Sequence, residues 1–179
     1  MPGSPPSPLL FLDVDGPLIP FGAPSPSYRT HEHGTTYAGE HVNPLLARID
    51  PEHGRRLGAL PCELIWATTW MADANACVAP LLGLPELPVV VWPEPADVDE
   101  RDERRGLHWK TRTLVDRAAG RAFDWVDDEI TDTDRAWVAE HHRGAALLHR
   151  VDPQQGLTEG DFVTLEGWLR READRGGGR

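Results

Sequence analysis

The order of residues along the chain predicts an α/β protein, a three-layer α/β sandwich around a mostly parallel sheet of about five strands. Three observations carry this reading. Five short apolar runs recur along 179 residues, helical patterns fall between them, and three of the runs stop at acids or hydroxyls. Strand and helix in alternation imply βαβ units, because parallel strands need a crossover between them.

The first run, Leu9 to Val14, is continuously apolar until it meets acid, which suits a strand buried on both faces. Four more runs follow at Glu63 to Ala67, Pro88 to Trp92, Ala122 to Val126 and Ala145 to Leu148. The helical patterns are Asn43 to Leu60 with a break near Pro51, Met71 to Leu82, Trp109 to Ala119, Thr133 to His142, and Thr158 to Ala173. Gly16 to Val42 breaks this rhythm. It is rich in Pro, Gly, Ser and Thr, holds a short hairpin pattern at Thr35 to Ala38, and reads as a functional flap. Pro93 to Arg105 is a mixed charge run and reads as a solvated loop. Residues 9–173 are expected to form one domain, preceded by a flexible leader over 1–8 and followed by a frayed tail over 174–179.

Composition narrows the function classes. No apolar run approaches the roughly 20 residues that a membrane-spanning helix needs. Met1 to Pro8 lacks the charged-then-apolar order of a secretory signal, so a cytoplasmic protein is expected. Cys62 and Cys77 show no metal-binding spacing and read as buried small side chains. The net charge of −11 offers no basic face for duplex nucleic acid, although it leaves room for a phosphate site. Among the 18 basic residues, Lys110 is the only lysine. Its ammonium is a compact point charge that the planar guanidinium of arginine does not reproduce.

Ligands of open α/β sheets bind beyond the carboxyl ends of the strands, so the residues that end each apolar run matter most. The first run ends in Asp13-Val14-Asp15-Gly16, the second in Thr68-Thr69, and the fourth in Asp127-Asp128, with Lys110 opening the helix before that fourth strand. Any one such stop could be a simple cap or turn. Together they place several carboxylates, two hydroxyls and one ammonium on one edge. Clustered carboxylates raise each other's pKa or demand a cation. An all-oxygen ligand set suits a hard divalent ion such as Mg²⁺, held by one or two carboxylates and by phosphate oxygens of a substrate.

These residues resemble a known family. Asp13-Val14-Asp15-Gly16-Pro17-Leu18, Thr68 after an apolar strand, Lys110, and Asp127-Asp128 resemble the four ordered motifs of the haloacid dehalogenase (HAD) superfamily of phosphatases and phosphotransferases. The resemblance spans nearly the whole chain and implies a Rossmann-like sheet of the minimal, capless type. WATTW, HWKTR and WVDDEITD also resemble the HAD domains associated with RNA-repair proteins. The resemblance implies that Asp13 is the nucleophile forming an aspartyl phosphate and a Mg²⁺ ligand. It implies that Asp15 is general acid and then general base, with its backbone carbonyl on the metal. Thr68, or Thr69 in the alternative register, would hold a phosphate oxygen, and Lys110 would neutralise nucleophile and transferring group. Asp128 would ligate the metal with Asp127 as supporting partner, and Gly16 and Trp70 would lie beside the substrate. An acid two residues after the nucleophile favours ester hydrolysis over dehalogenation, because an alkoxide leaving group needs a proton and a halide does not.

The expected activity is that of a Mg²⁺-dependent phosphatase for phosphate monoesters, with a phosphorylated substrate, a nucleotide or oligonucleotide end included, as partner. The alternatives are a polynucleotide end-processing phosphatase and a non-catalytic module that holds phosphate or a partner. A homo-oligomer is compatible with the sequence, since capless members leave the pocket open or borrow cover from a partner subunit. An open pocket is expected to discriminate weakly among small phosphates, with the flap as the main specificity element. His31, His33 and His41 lie in that flap without a thiolate, which favours a solvated loop over a zinc site. Trp70 and Trp109 could stack a base or fill core. His141-His142 and Asp132 with Asp134 read as helix-end residues.

Overall fold

A computed structural model of the chain describes residues 6–33 and 43–177. Its sheet has four parallel strands in the order β2-β1-β3-β4, with β1 over Leu9–Leu12, β2 over Glu63–Trp66, β3 over Phe123–Asp127 and β4 over Ala146–Arg150. Alternation along β1 sorts the core into two halves. Leu10 and Leu12 face a layer built from α1 (Pro51–Gly58), α2 (Ala79–Leu82) and α6 (Glu159–Gly177), where Leu57, Leu82, Phe162, Leu165 and Leu169 are buried. Leu9 and Phe11 face α4 (Thr111–Ala118) and α5 (Asp132–His141), meeting Leu114, Val115, Ala118 and Val138. The three layers follow from a strand that is apolar at every position.

The helix boundaries obey local chemistry. Asp50 caps α1 by accepting from Glu52 N at 2.9 Å, and Pro51 occupies the first turn, where no N–H is needed. At α5 the cap is Thr131, which forms a reciprocal capping box with Asp134, so Asp132 is a first-turn acid rather than the cap. A wide turn over Ala74–Val78 leads into α2, and the Asn75 side chain there accepts from Trp66 Nε1 at 2.8 Å and donates to Leu87 O at 2.8 Å.

Four sequence expectations need correction. The fifth strand, Pro88 to Trp92, is reduced to one bridge between Val89 and Trp66. Pro88 has no N–H to give, and Trp92 uses its indole on Thr68 O at 3.1 Å. The charge run 93–105 is not all loop, since Asp97–Arg104 forms α3, with Asp102 buried and paired to Arg112. The tail expected from Asp174 is helical to Gly177, with Arg175 donating to Glu172 at 2.7 Å. Within the expected leader, Pro8 is buried and its carbonyl accepts from Glu63 N at 2.9 Å. Met1 to Pro5, the hairpin pattern at Thr35 to Ala38, His41 and residues 178–179 lie outside the described residues. In the described part of the flap, Leu18 and Ile19 are buried, and a short turn covers Ser25–Ser27. Among the described residues, no helix is long and apolar enough to cross a membrane.

Asp124, on β3, is fully buried, and neither of its carboxylate oxygens has a hydrogen-bond partner. Burial raises its pKa well above the usual carboxylate value. Above about pH 4 the unfolded chain releases this proton while the folded chain keeps it, so stability falls as pH rises through that window. Asp124→Asn keeps the shape and removes the ionisation. It is expected to raise stability at pH 8 by about 1 kcal/mol or more, with a smaller gain at pH 5, as urea unfolding at the two pH values would measure.

Candidate active site

In the strand order β2-β1-β3-β4, the chain turns from β1 to one neighbour and later returns to the other, which places the crevice at the carboxyl ends of β1 and β3. Asp13 follows β1, its amide donating to Val126 O at 3.0 Å, and Asp127 ends β3. Parallel pairing of Leu12 with Val126 therefore brings the two carboxylates side by side. Lys110, at the start of α4, reaches between them. Its Nζ donates to Asp13 Oδ2 at 2.8 Å and to Asp127 Oδ2 at 2.8 Å, with the lysine only 2% exposed.

The rest of the hydrogen bonding fixes each group. Asp13 Oδ1 accepts from Val14 N at 2.8 Å. Asp127 is fully engaged: Oδ2 also accepts from Trp125 Nε1 at 3.2 Å, and Oδ1 accepts from Glu129 N at 3.0 Å. Asp128 is anchored through its backbone, whose carbonyl accepts from Arg150 Nε at 2.9 Å. Asp13, Asp127 and Asp128 each bring a carboxylate oxygen within 4.8 Å of the others. Gly16 packs against this group with φ +88°, and a Cβ there would lie 2.7 Å from Asp128 Cγ, so only glycine fits the turn after Asp15.

Thr68 and Thr69 separate clearly. Ala67 N donates to Leu12 O at 2.9 Å, so the chain leaves β2 beside the end of β1. Thr68 is fully buried and its Oγ1 accepts from Trp70 N at 3.2 Å, which leaves the hydroxyl proton free to donate, whereas Thr69 is exposed. Asp15 stands apart from the three clustered carboxylates. Its Oδ2 accepts from Trp70 Nε1 at 3.0 Å, and that indole packs against the core. Trp109, by contrast, is 44% exposed and is not core.

Three carboxylates against one ammonium leave two negative charges without a partner. Burial, followed by the effect of Asp127, outweighs Lys110 and pushes Asp13 up to about 7. Burial and Asp127 push Asp128 up to about 6. Lys110 loses solvation by burial, but the carboxylates of Asp13 and Asp127 overcome this and raise its pKa, so it stays charged. A donor set of buried oxygens with a residual double negative charge fits a hard divalent cation. Asp127 accepts three hydrogen bonds, from Lys110, Trp125 and Glu129, whereas Asp13 accepts one on each oxygen and keeps lone pairs for a cation beside Asp128.

Arg150 escaped the sequence reading, and Trp125, His108 and Glu129 entered it only inside the strings WVDDEITD and HWKTR, with no role of their own. Only Trp125 carries a signal, because it lies two residues before Asp127 and so shares its face of β3. His108 Nε2 meets Glu129 Oε2 at 3.1 Å, a contact across the fold that no spacing announces.

No curated protein and no solved structure matches the chain. Residues 9–162 match the family described as the HAD domain in Swiss Army Knife RNA repair proteins, a span that begins at β1 and ends in α6 and so includes every residue of the site. With its parallel sheet and its acidic motifs at the ends of β1 and β3, the chain belongs to this family of HAD-like domains.

Proposed function

We propose that the protein is a phosphatase that hydrolyses phosphate monoesters through an aspartyl phosphate on Asp13. The observation that carries the reading is the single ammonium of Lys110 held at 2.8 Å from both Asp13 and Asp127, with Asp128 in the same cluster. Structural ion pairs rarely leave a third buried carboxylate uncompensated, whereas a site for a cation and a phosphoryl group needs one. Asp13 and Asp128, with the backbone carbonyl of Asp15, would hold Mg²⁺, which when bound would supply charge neutralisation and Lewis-acid polarisation of the phosphoryl oxygens.

In the first half-reaction a carboxylate oxygen of Asp13 bonds to phosphorus, the ester P–O bond breaks, and the Asp15 carboxyl gives its proton to the departing alkoxide. In the second, the Asp15 carboxylate takes a proton from water as that water attacks phosphorus, and Asp13 departs as carboxylate with release of inorganic phosphate. Thr68 donates its hydroxyl proton to a phosphoryl oxygen, and Lys110 orients Asp13 and opposes the effect of burial on its carboxyl. Thr69 is exposed beside this position and is the weaker candidate for the phosphate contact.

Chelation with EDTA is expected to reduce phosphate release from an activated aryl phosphate by about 100-fold or more, with recovery on adding Mg²⁺. Full activity in EDTA would overturn the metal assignment. The bond from Trp70 to Asp15 gives a second test. Trp70→Phe is expected to lower kcat about ten-fold while KM moves little, since the hydrogen bond that orients the Asp15 carboxyl is lost.

A second reading, action on a phosphorylated polynucleotide end, is supported by the family description and by a pocket of about 400 Å³ where Arg29, Arg48, His31 and His53 gather. It predicts that 5′- or 3′-phosphorylated oligonucleotides outcompete aryl phosphate, with a shallow salt dependence because few phosphates are contacted. Equal rates on both would remove this reading and leave the first in place.

A further inference from the structure

The charge run that folds into α3 gives the site a second wall. A cavity of about 550 Å³ lies beside it, lined by Glu100, Glu103, Leu107, His108, Trp109 and Glu129. Trp109 is 44% exposed here, supported edge-on by Trp92 at 4.8 Å and flanked by His108 at 5.6 Å between ring centres. Lys110 Nζ lies 5.6 Å from the same ring, and that Nζ is bonded to Asp13. Glu129, whose carboxylate lies 3.1 Å from His108 Nε2, donates its amide to Asp127. The cavity is thus lined by the chain neighbours of Lys110 and Asp128, two members of the site.

Its electrostatic character is one-sided. Three glutamates line it, and among the described residues no Lys or Arg does. His108 is held between its neighbours, with Nδ1 accepting from Lys110 N at 3.2 Å and Nε2 lying 3.1 Å from Glu129 Oε2. The Lys110 ammonium is already shared between Asp13 and Asp127. Further phosphates are repelled by this lining, and a plain hydrocarbon would desolvate carboxylates without replacing their hydration. An alkylammonium satisfies both features, with its methyl or methylene groups against the exposed part of the indole and its positive charge among the glutamates.

We propose that the cavity receives the cationic end of the substrate, so that the preferred substrates are phosphate monoesters whose alcohol carries a quaternary or protonated ammonium group. This rests on the phosphatase reading and names its substrate class. The chemistry is unchanged: the ester P–O bond breaks, Asp15 protonates the oxygen of the amino alcohol, and the ammonium takes no part in bond making.

The test compares phosphocholine with 3,3-dimethylbutyl phosphate, which has the same shape without the charge. The expected result is a preference of about ten-fold or more in kcat/KM for phosphocholine, falling toward unity in Trp109→Ala and in a Glu100→Gln, Glu103→Gln double variant. A parallel calorimetric titration of the Mg²⁺-loaded wild-type protein with choline and with 3,3-dimethylbutanol reads the cavity without turnover, and choline is expected to bind more tightly. Equal rates and equal binding for the two members of each pair, or a preference for the uncharged ones, would overturn the proposal while leaving a phosphatase. A preference for nucleotides or oligonucleotides over phosphocholine would also overturn it. Absence of hydrolysis of every ester would count against the phosphatase reading itself, and the choline titration would then decide the cavity alone.

Discussion

Asp13→Asn is expected to abolish hydrolysis of phosphate monoesters, with turnover falling to background, because the amide cannot bond to phosphorus and leave again as a carboxylate. The fold is expected to survive, since asparagine keeps the shape and the contact to Val14 N. Stability should even separate the variant from the wild type in a pH-dependent way. The Asp13 pKa is raised to about 7 in the folded protein, chiefly by burial, against a usual value near 4. Between these values the unfolded chain has lost the proton and the folded chain holds it, so metal-free wild-type protein loses stability as pH rises from about 4 to 7. The variant lacks that loss. A divalent cation bound at Asp13 and Asp128 should reverse the slope for the wild type, raising Tm more at pH 8 than at pH 5. Thermal unfolding with and without Mg²⁺ checks both signs.

Lys110→Met is expected to be as damaging to activity and far more damaging to the fold. It leaves Asp13 and Asp127 buried without the ammonium that each contacts at 2.8 Å. Removing one partner of a buried ion pair costs about 3–5 kcal/mol, a large fraction of a domain's stability. Lys110→Arg separates charge from shape. It keeps the positive charge but carries a planar fork into a space that holds a point charge between two carboxylates, and a loss of at least about ten-fold in kcat/KM is expected. Urea unfolding of the methionine variant and kinetics of the arginine variant measure the two effects. Wild-type stability in Lys110→Met would mean that the carboxylates are relieved by something other than this lysine.

The sheet was legible because β1 to β4 are short apolar runs, and a strand covered on both faces has little freedom to be anything else. The carboxylates were legible for the opposite reason. Asp13, Asp127 and Asp128 interrupt such runs at their carboxyl ends, where a buried charge has a cost that only pairing or a cation offsets. Lys110 stood out by composition alone. What failed to show in the sequence depends on partners distant along the chain. The segment Asp97–Arg104 reads as solvated charge, and its helix is secured where Asp102 pairs with Arg112 and Leu107 is buried. Trp70 reads equally well as core or as a stacking platform, and only the fold reveals that its indole N–H serves Asp15 across 55 residues of sequence. Pro88 to Trp92 looks like a strand by residue type, yet the proline and the side-chain bond from Trp92 hold it to a single bridge. Asp124 breaks the apolar pattern of β3 as Asp127 does, but it lies near the other end of the strand, and its carboxylate oxygens have no hydrogen-bond partner among the described residues.

The central claim is that Asp13 carries the phosphoryl group between the two half-reactions. Acid quenching of the wild-type protein during early turnover of an aryl phosphate with Mg²⁺, followed by peptide mass mapping, tests it directly. The expected result is a phosphoryl adduct on the peptide that contains Asp13, sensitive to hydroxylamine as an acyl phosphate is, and absent from Asp13→Asn. An adduct on another residue, or wild-type turnover by Asp13→Asn, would contradict it.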